Sequence, residues 1–335
     1  MLVTLLALVG FPASQVHAQE TSLSQLPGVY RFMIGNIPVT ALSDGTVPID
    51  LHQLLRGIPF TRTDALLAKS FLRNPYEASI NVFLLEVAGR RVLVDTGSGE
   101  LFGPGNGGKL RQSLSAAGVR LEDITDILIT HVHSDHSGGL AVGGRMLFPN
   151  ATIHVGKADA DFFLDKANAT RTGYDKRYFD EAAATLKPYV DAGRVRTFDR
   201  RGEVLPGIVA ELRPGHTPGT AFYTLTSLGT RLVFVGDIIH VGEIQFASPA
   251  VTITFDQDQP KARTVRQQAF VEFAREETLI AAPHLQFPGV GRIRADGNGY
   301  RWVALPYVNR SSGGGADLSP NPNAGSATQT ATERR

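Results

Sequence analysis

The stretch that most constrains the fold is THVHSDHSGGL, residues 130–140, because it follows directly on an apolar run, DILI, at 126–129. Three histidines and an aspartate (His131, His133, Asp135 and His136) fall within six positions of a chain with nine histidines in all. An apolar run that closes on such residues reads as a buried strand delivering ligand-type side chains to the rim of a sheet. Continued extended geometry puts His131 and His133 on the same side. Asp135 and His136 follow as the chain turns, and Gly138–Gly139 let the backbone bend tightly beneath them. Gathering these groups is unfavourable unless a cation organises them.

Three more candidates stand far away in sequence but in similar places. His216 lies in the turn RPGHTPGT, Asp237 ends the run LVFVGD, and His284 ends LIAAPH. The set is then five histidines and two aspartates, more than one four-coordinate ion can use. Two ions sharing a carboxylate can use them all. The chain has no cysteine, so thiolate ligands and disulfides are both excluded.

The order of elements repeats. INVFLLEV (80–87) and RVLVDTG (91–97) read as a hairpin, then comes an amphipathic segment (110–119), then the strand that ends at His131. TAFYTLTS (220–227) and RLVFVGD (231–237) form a second hairpin, followed by a helical stretch (261–277) and the strand that ends at His284. This weak duplication predicts an α/β fold of two stacked sheets with helices outside. Residues 1–18 read as a signal peptide, with an apolar run from Leu2 to Phe11 and cleavage after Ala18, although no basic residue precedes the run. The protein is accordingly expected to be exported, periplasmic or secreted. No stretch is long and apolar enough for a membrane span. Residues 311–335, rich in Gly, Ser, Pro, Asn and Thr, read as a disordered tail, leaving 19–310 as one domain. A net charge of +1 gives no reason to expect nucleic acid as a partner.

HVHSDH, the later glycine-flanked His216, the GD at a strand end and the final His284 resemble the metallo-β-lactamase superfamily, as does VDTG at 94–97. The resemblance covers nearly the whole domain. It implies an αββα sandwich of two mixed β-sheets with helices on both outer faces, holding two divalent metal ions. Zinc leads, with manganese, iron or cobalt as alternatives. On this resemblance His131, His133 and His216 would bind the first ion and Asp135, His136 and His284 the second, with Asp237 bridging. Asp95 would orient the metal-binding loop through hydrogen bonds without ligating. A hydroxide bridging the metals would be the nucleophile, with Asp135 and Asp237 as the catalytic carboxylates.

A finer similarity runs from Gly28 to Tyr307. LSDGTV, ALLAKSF, VDTGSGELFGP, VLPGI, HTPG, QFASPAVT and FPGVGRIRADGNGYRWV resemble methyl parathion hydrolase and its lactonase and aryl-esterase relatives, the dihydrocoumarin hydrolase-like enzymes. It implies a pocket lined by Leu55, Phe102, Phe163, Phe179, His240 and Phe255, suited to a small neutral aromatic or lactone substrate. Core packing is the alternative for each phenylalanine. His240 has two readings, a side chain reaching the substrate or a solvated loop residue. True β-lactamases usually have Cys or Ser where Asp237 stands. Organophosphate-degrading members have an apolar residue where His240 stands and a basic one near Leu55. The expected activity is therefore lactone opening or aryl-ester cleavage, with organophosphate triesters as a side reaction. Phosphotriesterase as the main activity and an exported, non-catalytic metal-binding protein are the alternatives. The resemblance also allows a homodimer, for which no seam is legible. GPGNGGKL (103–110) mimics a phosphate loop, but Leu110 stands where the magnesium-binding hydroxyl belongs.

Overall fold

The computed structural model describes residues 24–310 and Leu318. The signal segment 1–18 lies outside the described residues, as does the tail 311–335 apart from Leu318.

Strict alternation of side chains builds the interior. In the strand Tyr76–Val87, Phe83, Leu85 and Val87 enter the cluster between the sheets, while Val82 and Leu84 enter a second cluster beneath helices. A strand buried on both faces reads as a continuous apolar run, which is what VFLL at 82–85 shows.

Two seven-stranded sheets result, each with its strands in chain order. The first comprises β1 (Val29–Ile34), β2 (Ile37–Ile49), β3 (Tyr76–Val87), β4 (Arg90–Val94), β5 (Asp126–Ile129), β6 (Thr152–Gly156) and β7 (Val195–Phe198). The second comprises β8 (Gly202–Leu205), β9 (Ile208–Leu212), β10 (Ala221–Ser227), β11 (Thr230–Phe234), β12 (Leu279–Ala281), β13 (Val290–Asp296) and β14 (Gly299–Ala304). Both are mixed. The pairs β4–β5, β5–β6 and β6–β7 are parallel, as is β11–β12, and the rest are antiparallel.

Helices α1 (Leu110–Ala116), α2 (Lys157–Leu164) and α3 (Lys176–Thr185) cover the outer face of the first sheet through Leu114, Phe163 and Phe179. Helix α4 (Gln259–Arg275) covers the second through Ala269, Phe270 and Phe273. The four-layer sandwich is the architecture expected from the sequence. Among the described residues, no helix is long and apolar enough to cross a membrane.

The internal repeat is present in detail. The β3–β4 and β10–β11 hairpins close through Ala88–Gly89 and Leu228–Gly229, all four at positive φ, the geometry that matches strand twist in a two-residue turn. Val94 pairs with Leu128 and Phe234 pairs with Ala281 across the parallel strands. His131 and His284 each stand three residues beyond those partners. The two halves thus deliver a histidine to the same rim by the same route. Leu318, in the segment expected to be a disordered tail, is 6% exposed and packs into the inter-sheet core. Its carbonyl accepts from Arg292 at 3.0 Å.

Candidate metal centre

Strand ends position the donors. His131 and His133 leave β5, Asp135 and His136 sit in the single turn Ser134–Ser137, His216 stands in the loop between β9 and β10, and His284 follows β12. Gly236, at φ 49°, turns the chain after β11 so that Asp237 faces the same point. The Gly138–Gly139 pair has a different role from the one expected. Neither is at positive φ; instead a Cβ at Gly139 would lie 2.1 Å from the Thr96 carbonyl, and one at Gly138 would lie 2.3 Å from that of Ser98. Close approach of two loops, rather than a tight bend, requires these glycines.

The donors fall into two groups that share Asp237: His131, His133, His216 and Asp237, and Asp135, His136, Asp237 and His284. In the first, His133 Nδ1 is 3.1 Å from both His131 Nε2 and His216 Nε2. Asp237 Oδ2 is 3.6 and 3.4 Å from those two Nε2 atoms. In the second, His136 Nε2 is 3.1 Å from Asp237 Oδ1 and 3.6 Å from Asp135 Oδ2. His284 Nε2 is 3.1 Å from Asp237 Oδ2 and 3.4 Å from Asp135 Oδ2. A tetrahedral ion with bonds of ~2.0–2.1 Å separates its ligands by about 3.4 Å, so both groups have the right size.

The far side of every imidazole is held. His131 Nδ1 donates to Thr130 Oγ1 (3.2 Å), His133 Nε2 to Tyr174 Oη (3.0 Å), and His136 Nδ1 to Asp95 Oδ2 (2.8 Å). His216 Nδ1 donates to Asp256 Oδ1 (2.8 Å) and His284 Nδ1 to the Ser79 carbonyl (2.8 Å). With the outer nitrogens committed as donors, the inner ones present lone pairs to one another. His136 Nε2 and Asp237 Oδ1 are buried with no hydrogen-bond partner. Facing lone pairs and orphaned buried acceptors are the signature of a place for a cation, and the donor set fits two divalent ions.

Without a cation the charge balance divides the imidazoles into two sets, because a proton on His136 or His216 then occupies the place a metal ion would take. Burial, reinforced by the neighbouring imidazoles, holds His131 and His133 well below the ordinary histidine range. Burial also pushes His136 and His216 down, but carboxylates outweigh it. Asp237, Asp135 and Asp95 lift His136 well above its usual value, and Asp237 and Asp256 lift His216 to about 9. Burial alone would raise Asp237, yet the surrounding imidazoles, His136 foremost, hold it well below the carboxylate range.

A cavity of about 320 Å³ opens onto both groups, with Val47, Ile49, Ala78, Leu101, Phe102 and Phe255 forming its apolar side. His240 also lines it and is buried. His240 Nε2 lies 3.1 Å from Asp237 Oδ2 outside hydrogen-bonding geometry, and neither ring nitrogen has a partner. His240 is thus a buried residue of the cavity wall rather than a solvated loop residue.

Three expected pocket residues do not line the cavity. Phe163 and Phe179 are fully buried in the core under the first sheet, where Phe163 packs edge-on behind the His133 ring at 5.7 Å. Leu55 is buried in the small cluster around the Leu55–Arg56 and Thr252–Ile253 strand pair. In each case aliphatic and aromatic neighbours claim the side chain more completely than the cavity wall could. His154 is a buried partner of Asp126 (3.0 Å), and His52 pairs with Asp64 (2.8 Å) on the surface.

Several residues escaped sequence reasoning. Asp256 and Tyr174 hold imidazoles. Asp159, fully buried on α2, accepts from Val132 N, Thr217 Oγ1 and Gly219 N, tying the two histidine loops together. Asp44 binds Ser98 N, Gly108 N and Leu110 N, so the glycine-rich GPGNGGKL segment folds around a carboxylate of its own chain. LSDGTV contained Asp44, but nothing in its spacing tied it to residues 98–110.

The family model of the metallo-beta-lactamase superfamily matches residues 75–284, which include all seven donors and Asp95. Among solved structures, the hydrolase AbOPH of the beta lactamase superfamily is 33% identical with a TM-score of 0.81, covering 85% of this chain and 100% of that one. AidC, a dizinc quorum-quenching lactonase solved with the product N-hexanoyl-L-homoserine, is 26% identical with a TM-score of 0.78 over the same shares. The uncharacterised protein YobT of Bacillus subtilis is 27% identical over 179 residues, 51% of this chain and 69% of its own length.

Proposed function

The chain belongs to the metallo-β-lactamase superfamily, and from that premise we propose that it is a binuclear metal-dependent hydrolase that opens lactones or cleaves aryl esters. The observation that carries this reading is the pairing of two fused donor groups with a cavity whose remaining wall is largely apolar. Among the described lining residues outside those groups, Arg177 and His240 are the ionisable side chains apart from Tyr178. A compact, uncharged ester or lactone suits such a wall, and a highly charged phosphate does not. The likeness to AidC, a lactonase, supports the lactone side of the reading.

His131, His133 and His216 would hold one ion, Asp135, His136 and His284 the other, and Asp237 both. Held there, divalent ions would supply the chemistry of lowering the pKa of water and of polarising a carbonyl. Asp135 is the most exposed member of the two groups and lines the cavity, so its carboxylate is the one we assign to orienting the attacking water. His240, a cavity-wall residue whose ring nitrogens are unpartnered, would meet the substrate beside Asp237. The apolar side, with Phe102 and Phe255, excludes water and holds the acyl or aryl portion.

Purified protein loaded with zinc or manganese and assayed on dihydrocoumarin, an N-acyl homoserine lactone, a nitrophenyl ester and methyl paraoxon tests the proposal. Turnover of a lactone or aryl ester is expected. Turnover confined to the phosphotriester would make phosphotriesterase the main activity, and two bound ions without any turnover would leave a metal-binding protein. Residues 1–18 support export of this enzyme, and protein recovered from the periplasm or medium should begin at Gln19.

A further inference from the structure

Helix α4 buries the stripe Ala262, Arg266, Ala269, Phe270 and Phe273 against the second sheet. An arginine in that stripe is out of place, yet Arg266 is 0% exposed, the largest of the fully buried side chains. A guanidinium so enclosed is retained only where its donors are met.

They are met by three segments that each carry part of the site. Nε donates to the carbonyl of Ile238, the residue after Asp237. One terminal nitrogen donates to the Val251 carbonyl at 2.6 Å, which also accepts from Gln245 Nε2 at 3.3 Å. The Gln245 Oε1 atom in turn accepts from the backbone N of His240 at 2.7 Å. The other terminal nitrogen is 3.5 Å from Asp256 Oδ2, while Asp256 Oδ1 receives the Nδ1 proton of His216 at 2.8 Å. A single fork therefore ties Asp237, His240 and the partner of His216 to one rigid helix. Lysine, with a point charge on a flexible stem, cannot span three such directions.

We infer that Arg266 is a positioning residue for the metal centre, fixing His216 through Asp256 and Asp237 through Ile238. This rests on the binuclear reading above. The side chain touches neither the cavity nor a donor directly, so it acts wholly through other groups.

Zinc affinity and stoichiometry, measured by chelator competition and elemental analysis on the full chain, test it without recourse to turnover. Arg266→Lys and Arg266→Met should remain folded by circular dichroism yet bind the ion held by His216 about 10–100-fold more weakly. Asp256→Asn should weaken the same ion, and the double variant Arg266→Met with Asp256→Asn should be far from additive. In Arg266→Ala, millimolar guanidinium should restore affinity where equal sodium chloride does not. Wild-type affinity in folded Arg266→Lys would overturn the inference, as would additive effects in the double variant. Should Arg266→Met fail to fold, Arg266→Lys and guanidinium rescue still decide. Failure of the wild-type chain to bind two ions would instead overturn the binuclear reading.

Discussion

Asp95 Oδ2 lies 2.8 Å from His136 Nδ1, and the aspartate that makes this bond sits on left-handed backbone at φ 63°. The same carboxylate accepts from Thr130 N at 2.8 Å and Thr130 Oγ1 at 2.9 Å. It therefore fixes His136 directly and His131 through Thr130. Asp and Asn tolerate this backbone conformation better than most residues. Asp95→Asn should fold normally but bind the second ion about 10–100-fold more weakly in a zinc titration. Asp95→Ala should show that loss and an additional destabilisation of about 1 kcal/mol or more from the backbone. Unchanged affinity in both would remove Asp95 from the metal centre.

The charge state of His216 gives a pH dependence with a definite sign. Its ordinary value of 6.5 rises to about 9 in the metal-free fold, where burial is outweighed by Asp237 and Asp256. A raised histidine stabilises the fold fully below the unfolded value and loses that contribution as pH climbs through the folded one. The metal-free protein should accordingly lose melting temperature between pH 6.5 and about 9. A bound cation takes the proton's place, so the zinc-loaded protein should show a flatter profile. Parallel profiles with and without chelator would contradict the assignment.

Phenylalanines separate into two classes by what surrounds them. Phe179 is fully buried beneath the first sheet, whereas Phe102 lines the cavity. Phe179→Ala should lower stability by about 3–5 kcal/mol in denaturant unfolding. Phe102→Ala should leave stability nearly intact and raise KM. The reverse pattern would place the cavity wrongly.

His240 tests the substrate preference. His240→Leu should keep both ions, because neither donor group includes His240. It should alter the ratio of kcat/KM for lactone against phosphotriester by on the order of 10-fold, since a polar contact becomes apolar. An unchanged ratio would show that His240 does not meet the substrate.

The donors were legible because their chemistry is scarce. Five histidines and two aspartates at the ends of apolar runs leave few alternatives to a metal centre, and strand periodicity carried them to one rim. The supporting groups were not. Asp256, Asp159 and Tyr174 are common residues without a motif, and only tertiary approach gives each its partner: His216, the 217–219 loop and His133. Arg266 was hidden inside a helical pattern whose other buried positions are apolar. The family resemblance implies Phe163 and Phe179 in the pocket, and the sequence cannot correct it, because an aromatic side chain suits a cavity wall and a core equally well. Burial, which decides between them, depends on how α2 and α3 pack on the sheet.

Each donor group draws two residues from the chain before β8 and two from the chain after it: His131 and His133 with His216 and Asp237, Asp135 and His136 with Asp237 and His284. A cation at either place is thus a fastener across the seam between the sheets as well as a reagent. Ion binding and docking of the two halves become one equilibrium, in which each site occupied at 100 times its Kd adds about 2.7 kcal/mol to cohesion. Two fragments parted between β7 and β8 would each hold only half a ligand set. Metal supply would then govern how long such a protein stays assembled, and not merely how fast it works.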